Sequence, residues 1–146
     1  MMKPAVDAIR AWIEAHYTGL PLRWPNEDWP AEIQDPQETG SAFVEVEIIG
    51  GTNYIRGFSR PGNRLWIHPG LIRFYIFQPV NTGMDDALDT ADQLAAFMER
   101  TEFGRTPDGQ MVRTLDFSTY ANVAAEEAGN FFVLISSVPF DFYYTR

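Results

Sequence analysis

The sequence predicts an α+β domain: a mostly antiparallel sheet with two amphipathic helices packed on it, plus an extended hairpin arm. Three observations carry this prediction. Two segments repeat apolar residues at three- and four-residue steps, others alternate them at two, and the order runs helix, strands, helix, strands. One domain spanning 1–146 is sufficient, because a chain of 146 residues buries roughly 68–70% of its unfolded surface around a single core.

The first helix is predicted from Pro4 to Tyr17. Val6, Ile9, Ile13, His16 and Tyr17 form its inner stripe, Pro4 suits the first turn, and Gly19 ends it. The Trp-Pro-rich stretch LRWPNEDWP follows, then AEIQDPQETG, whose prolines mark it as loop. From Ser41 to Ile49, Val44, Val46 and Ile48 alternate with Glu45 and Glu47, the period of a strand with one buried and one wet face. The segment Gly50 to Gly70 is broken by glycine and proline, which predicts a long, mobile hairpin arm. GLIRFYIFQPV reads as a strong strand, with Ile72, Phe74 and Ile76 on one face and Leu71, Tyr75 and Phe77 on the other.

Thr82 is the predicted cap of the second helix, whose buried stripe is Met84, Leu88, Ala91, Leu94, Ala95 and Met98. Asp85, Asp86, Asp89 and Asp92 crowd its first half, where the helix dipole favours negative charge, and Gly104 is its predicted stop. Pro107, Asp108 and Gly109 signal a turn into a strand from Gln110 to Phe117. An irregular stretch through Glu126, Glu127 and Gly129 leads to a last strand from Phe131 to about Tyr144. There Phe132, Leu134, Val138, Phe140, Phe142 and Tyr144 share one parity, and Pro139 predicts a local edge.

Composition excludes more functions than it suggests. The formal net charge of −9 opposes binding to nucleic acid through phosphate contacts. The absence of cysteine removes disulfides, thiolate metal sites and cysteine nucleophiles together. Asp7, Arg10 and Glu14 interrupt the opening segment before a signal-peptide core can form. The apolar run Phe131 to Ile135 is too short to span a bilayer, so a soluble protein is expected.

The sequence holds no phosphate-cradling glycine loop followed by lysine and hydroxyl, no GxSxG and no HExxH. His16 and His68 are its only histidines, and neither has a nucleophile at a suggestive spacing. The four aspartates of the second helix sit at a spacing that could hold a cation, but the same pattern is that of a solvated, dipole-favoured first turn. No catalytic residue, cofactor or metal site is expected.

The aromatics outside the periodic elements are harder to place. Trp24, Trp29, Tyr54, Phe58 and Trp66 lie in the Trp-Pro segment and the arm, accompanied by Arg23, Arg56, Arg60 and Arg64. Tryptophan, tyrosine and arginine are enriched at interfaces, so Trp24, Trp29, Tyr54, Arg56, Phe58, Arg60, Arg64 and Trp66 are candidates for a subunit or partner contact. Folding back onto the chain's own core is the equally weighted alternative. Proline after each tryptophan holds both indoles on an extended path, which makes LRWPNEDWP a rigid strap between helix and sheet.

An N-terminal helix leading into a WPN loop, the strand AFVEVEII, the run GLIRFYIFQPVNTGMDDALDTADQLAAFME and the closing FFVLISSVPFDFYY together resemble the tail terminator family of long-tailed phages and phage-derived gene transfer agents. The resemblance covers nearly the whole chain as a pattern, with no single diagnostic residue. It implies an α+β subunit of a hexameric ring at the head-proximal end of a tail tube, ending tube polymerisation and meeting a neck or stopper protein. It also implies no catalytic residues and no cofactor. The protein would reside in the host cytoplasm during assembly and then at the head–tail junction, with DNA passing through unbound. Two acidic sets are candidates for lining that channel, Glu45 with Glu47 and Asp85 with Asp89. The alternative readings are a neck or head-completion protein of the same particle, and a monomeric ligand-binding domain that uses the arm as a lid.

Overall fold

The computed structural model describes residues 2–29, 35–57, 60–80, 83–121 and 131–146. Helix α1 (Lys3–His16) comes first, followed by the two-residue strand β1 (Leu22–Arg23) and the single-turn helix α2 (Pro36–Thr39). Next are β2 (Phe43–Gly50), β3 (Tyr54–Arg56) and the long β4 (Leu65–Pro79). Helix α3 (Asp85–Met98) then precedes β5 (Glu102–Phe103), β6 (Met111–Thr114), β7 (Ser118–Ala121) and β8 (Phe131–Thr145).

One sheet runs in the order β1-β2-β4-β8-β6-β5, with β3 also on β4 and β7 also on β8. Only β1 on β2 is parallel among the described pairings. The α+β class is therefore as predicted. The spine is the antiparallel pair β4 and β8, in register from Leu65↔Thr145 to Pro79↔Phe131.

Alternation along the spine sorts side chains into two faces. Ile72, Phe74 and Ile76 of β4, Val44 and Val46 of β2, and Leu134, Val138, Phe140, Phe142 and Tyr144 of β8 join one core with Ala5, Ile9 and Ile13 of α1 and Ala87, Ala91, Leu94 and Met98 of α3. Both helices thus lie on the same face. Trp12 ties them together, donating its indole N–H to the Phe97 carbonyl at 2.9 Å while stacking on Phe103 at 4.8 Å. Each fully buried apolar side chain of this layer contributes about 1.5–3 kcal/mol.

Gly70 has a packing reason to interrupt the long strand. A Cβ built there would stand 2.4 Å from Phe140 Cζ and 2.6 Å from the Ile49 carbonyl oxygen. The Phe140 ring occupies the space a side chain would need, so only glycine fits.

Several expectations are corrected. His16 is exposed rather than on the inner face of α1, its ring lying 3.8 Å from Trp12. Tyr17, one residue on, takes the buried position, and burial pushes its phenol pKa up. On α3 the inner face is Ala87, Thr90, Ala91, Leu94 and Met98, while Met84 and Leu88 are 41% and 40% exposed. Leu88 lies one residue, about 100°, round from Ala87, and the small side chains of Ala87 and Ala91 let α3 sit close to the sheet on that side.

Helix α3 stops at Met98, ahead of Gly104; Arg100, with φ 46°, turns the chain instead. Of the predicted strand from Gln110 to Phe117 only Met111–Thr114 is a strand, β6; β7 begins beyond it at Ser118, and the two pair with different parts of β8. The arm is real but is not a separate hairpin. Its second half is the start of β4, which continues through Pro69 to Pro79, and β3 pairs with Leu65 to Ile67. The predicted cap Thr82, the candidate Phe58 and the stretch through Glu126, Glu127 and Gly129 lie outside the described residues.

Candidate functional site

The strap is fixed to its own domain. Trp24 is 8% exposed and belongs to the core, so it is a folding anchor and not part of a free surface. The Arg10 guanidinium lies over its ring, 4.8 Å from the centroid. Arg10 also forks onto both oxygens of Glu27, at 2.6 and 3.1 Å, and its Nε donates to Glu14 at 3.0 Å. These hydrogen bonds, Glu27 first and then Glu14, raise the arginine pKa further. Trp29 is half-buried, edge-on to Phe43 at 5.6 Å, which in turn stacks on Phe77 at 4.4 Å. The strap thus pins one indole under the helix face and the other against the opposite face of the sheet. Between helix and strap lies a groove of about 350 Å³ lined by Arg10, Glu14, Trp24 and Glu27, charges that already satisfy one another.

The arm differs. Tyr54 and Ile55 are 47% and 42% exposed on β3, and Arg56 and Arg60 are exposed beside them. Trp66 is half-buried and stacks on Tyr144 at 6.4 Å. Arg64 joins the end of the chain through its backbone, donating to and accepting from Arg146 at 3.2 and 2.9 Å. At the arm's root the Trp66 indole N–H, Asn53 Oδ1, both His68 ring nitrogens and the Tyr144 hydroxyl are buried without a hydrogen-bond partner. Each such group costs about 1–3 kcal/mol until it is satisfied.

The two acidic sets sit in different settings. Glu45 and Glu47 lie on the sheet face away from the helices, where Arg23 stands 3.7 Å from Glu45 and Arg73 3.9 Å from Glu47. Tyr75 adds an O–H donor to Glu47 at 3.0 Å. Asp85, Asp86 and Asp89 are exposed at the start of α3, and none of them makes an ion pair among the described residues.

Nothing in this arrangement brings His16 and His68 together. His16 lies at the far end of α1, whereas His68 sits in β4 beneath Gly50, whose Cβ position is 2.7 Å from His68 Nε2. Burial lowers the His68 pKa. Among the described residues no three histidines or acids are grouped to hold a metal ion, and no helix is long and apolar enough to cross a membrane.

Sequence reasoning did not single out Arg10, Asn53, Ile55 or Tyr144 at these places. In the sequence Arg10 counts only as a charge that interrupts the opening segment, and its partner, a carboxylate in the strap able to reach back, shows only when the strap crosses the helix. Apolar spacing places Met84 and Leu88 in the core because it marks a stripe without giving its width.

No family model and no curated protein matches this sequence. A solved structure superposes on it with a TM-score of 0.67, covering 100% of this chain and 98% of the other at 14% sequence identity. At that identity the likeness speaks for the fold alone.

Proposed function

We propose that this chain is a non-catalytic structural subunit that closes with further copies of itself into a ring, most simply a hexamer, capping the head-proximal end of a phage-like tail tube. In that place the ring ends tube polymerisation and joins the tail to a neck or stopper protein, while DNA passes through without being bound. The protein acts first in the host cytoplasm and then at the head–tail junction of the particle.

The observation that carries this reading is the arm. It presents Tyr54 and Ile55 exposed beside the exposed Arg56. A lone chain gains nothing from exposing such a set, whereas an interface core is built from aromatic, aliphatic and arginine side chains. An α+β fold agrees with what the family resemblance implies.

Multi-angle light scattering on the pure chain, alone and with the tail tube protein, tests the reading. A closed oligomer, or recruitment to tube ends that halts their growth, supports it. A chain that stays monomeric at high concentration and ignores tube ends returns the protein to the ligand-binding alternative.

A further inference from the structure

We infer that the arm of one copy docks on the start of α3 in the next, making the ring contact head-to-tail. The inference rests on the ring reading and adds the surface that the arm meets. Met84 and Leu88, four residues apart and so on one side of the start of α3, are apolar and 41% and 40% exposed, and Val80, just past the end of β4, is 41% exposed. Asp85 and Asp89 are exposed next to this strip round the helix.

The arm carries the complementary set. Tyr54, on the same face of β3 as Arg56, is its exposed aromatic, Ile55 is exposed on the opposite face, and Arg56 and Arg60 are exposed with no ion pair among the described residues. The charges are segregated along the chain. No aspartate or glutamate occurs between Glu47 and Asp85, and no lysine or arginine occurs on α3. In a chain of net charge −9, a segment this free of acids is conspicuous.

Within one molecule the two surfaces are kept apart. The arm pairs with the Leu65 end of β4, α3 begins beyond its Pro79 end, and 15 extended residues separate those ends by roughly 45 Å. An apolar strip beside acids and an exposed tyrosine beside an arginine, held at opposite ends of one long strand, can meet only between copies. A contact between unlike surfaces is heterologous, and it propagates until the rotation closes a ring. Opposite charges at its edge set the register and reject like-charged approaches.

The test uses the full chain in two charge-reversed forms, Arg56→Glu/Arg60→Glu and Asp85→Arg/Asp89→Arg, with circular dichroism melts to confirm folding. Each form alone should lose self-association by about tenfold or more in sedimentation velocity. A one-to-one mixture should regain it, because each form then meets an opposite charge on the other. Loss in the single forms with recovery in the mixture supports the head-to-tail contact. If wild type assembles and both reversed forms assemble equally well, or if the mixture fails to recover, the contact is overturned while the ring stands. If the reversed forms self-associate normally but lose tube recruitment, the arm meets the tube protein and the contact is likewise overturned. A wild-type chain that never assembles overturns contact and ring together.

Discussion

Pro69 and Pro139 lie on adjacent strands two register steps apart, Pro69 opposite Asp141 and Pro139 opposite Leu71. Each turns its ring nitrogen away from the ladder that the two strands share. The Pro69 carbonyl accepts from Gly51 at 2.8 Å and the Pro139 carbonyl from Leu115 at 2.9 Å, both on the outer sides of the pair. In an antiparallel strand the N and C=O of one residue point the same way, so each proline nitrogen faces outward too. There the outer neighbour changes, from β2 to β3 beside Pro69 and from β6 to β7 beside Pro139. A missing N–H at these breaks costs the central ladder nothing.

Replacing Pro139 with alanine is therefore expected to change stability by less than about 1 kcal/mol, whereas Val138→Pro, whose N–H points into the shared ladder, should cost about 3 kcal/mol or more. Urea unfolding midpoints measure both. Equal losses in the two variants would show that the nitrogen directions are not what matters.

The strap makes unequal demands on its tryptophans. Trp24 is buried in the core beneath Arg10, and Trp29 is half-buried against Phe43. Trp24→Ala should lose about 3–5 kcal/mol, and Trp29→Ala roughly 1–2 kcal/mol. Arg10→Ala removes a fork onto a partly exposed Glu27 and a ring contact, so about 1 kcal/mol is expected. A Trp29 variant as damaged as the Trp24 variant would contradict this ranking.

His68 gives the fold a pH dependence of known sign. Burial lowers its pKa below the ordinary 6.5, so the unfolded chain takes up the proton first as pH falls. Its contribution is fully present above about 6.5 and is lost as pH drops through the window beneath that value. Melting temperatures taken from about pH 7.5 to 5.5 should fall for wild type and fall less for His68→Gln. Identical slopes would move the effect to the carboxylates.

Glu45 and Glu47 are the acidic set on the sheet face away from the helices, and with Asp85 and Asp89 proposed for the subunit contact they are the candidates for lining the proposed channel. Their ion pairs are long, at 3.7 and 3.9 Å, so Glu45→Lys/Glu47→Lys should leave folding within about 1 kcal/mol of wild type and assembly intact. Rings bearing both lysines should retain DNA at low salt, because cations on the lining release phosphate counterions. If DNA affinity and DNA delivery are both unchanged, the acids of this face serve solubility alone.

Local spacing by itself determined helices α1 and α3, strands β2 and β8, the second half of β4 and the α+β class. It also gave the shared face of Phe132 to Tyr144, because period alone decides which neighbours along the chain point together. It did not reveal which strands are central, because Pro139 signals a lost donor without saying toward which neighbour the loss points. Nor could it separate Trp24 from Trp29, two indoles in the same Trp-Pro setting. That choice lies with contacts across distance, such as Arg10 with Glu27, 17 residues apart, and Trp12 with the Phe97 carbonyl, 85 apart. The flank of Met84 and Leu88 stayed hidden for the same reason. Only the tertiary structure fixes how α3 is rotated on the sheet, since burial depends on the width of the surface a helix meets, and that surface is assembled from strands far apart in the chain.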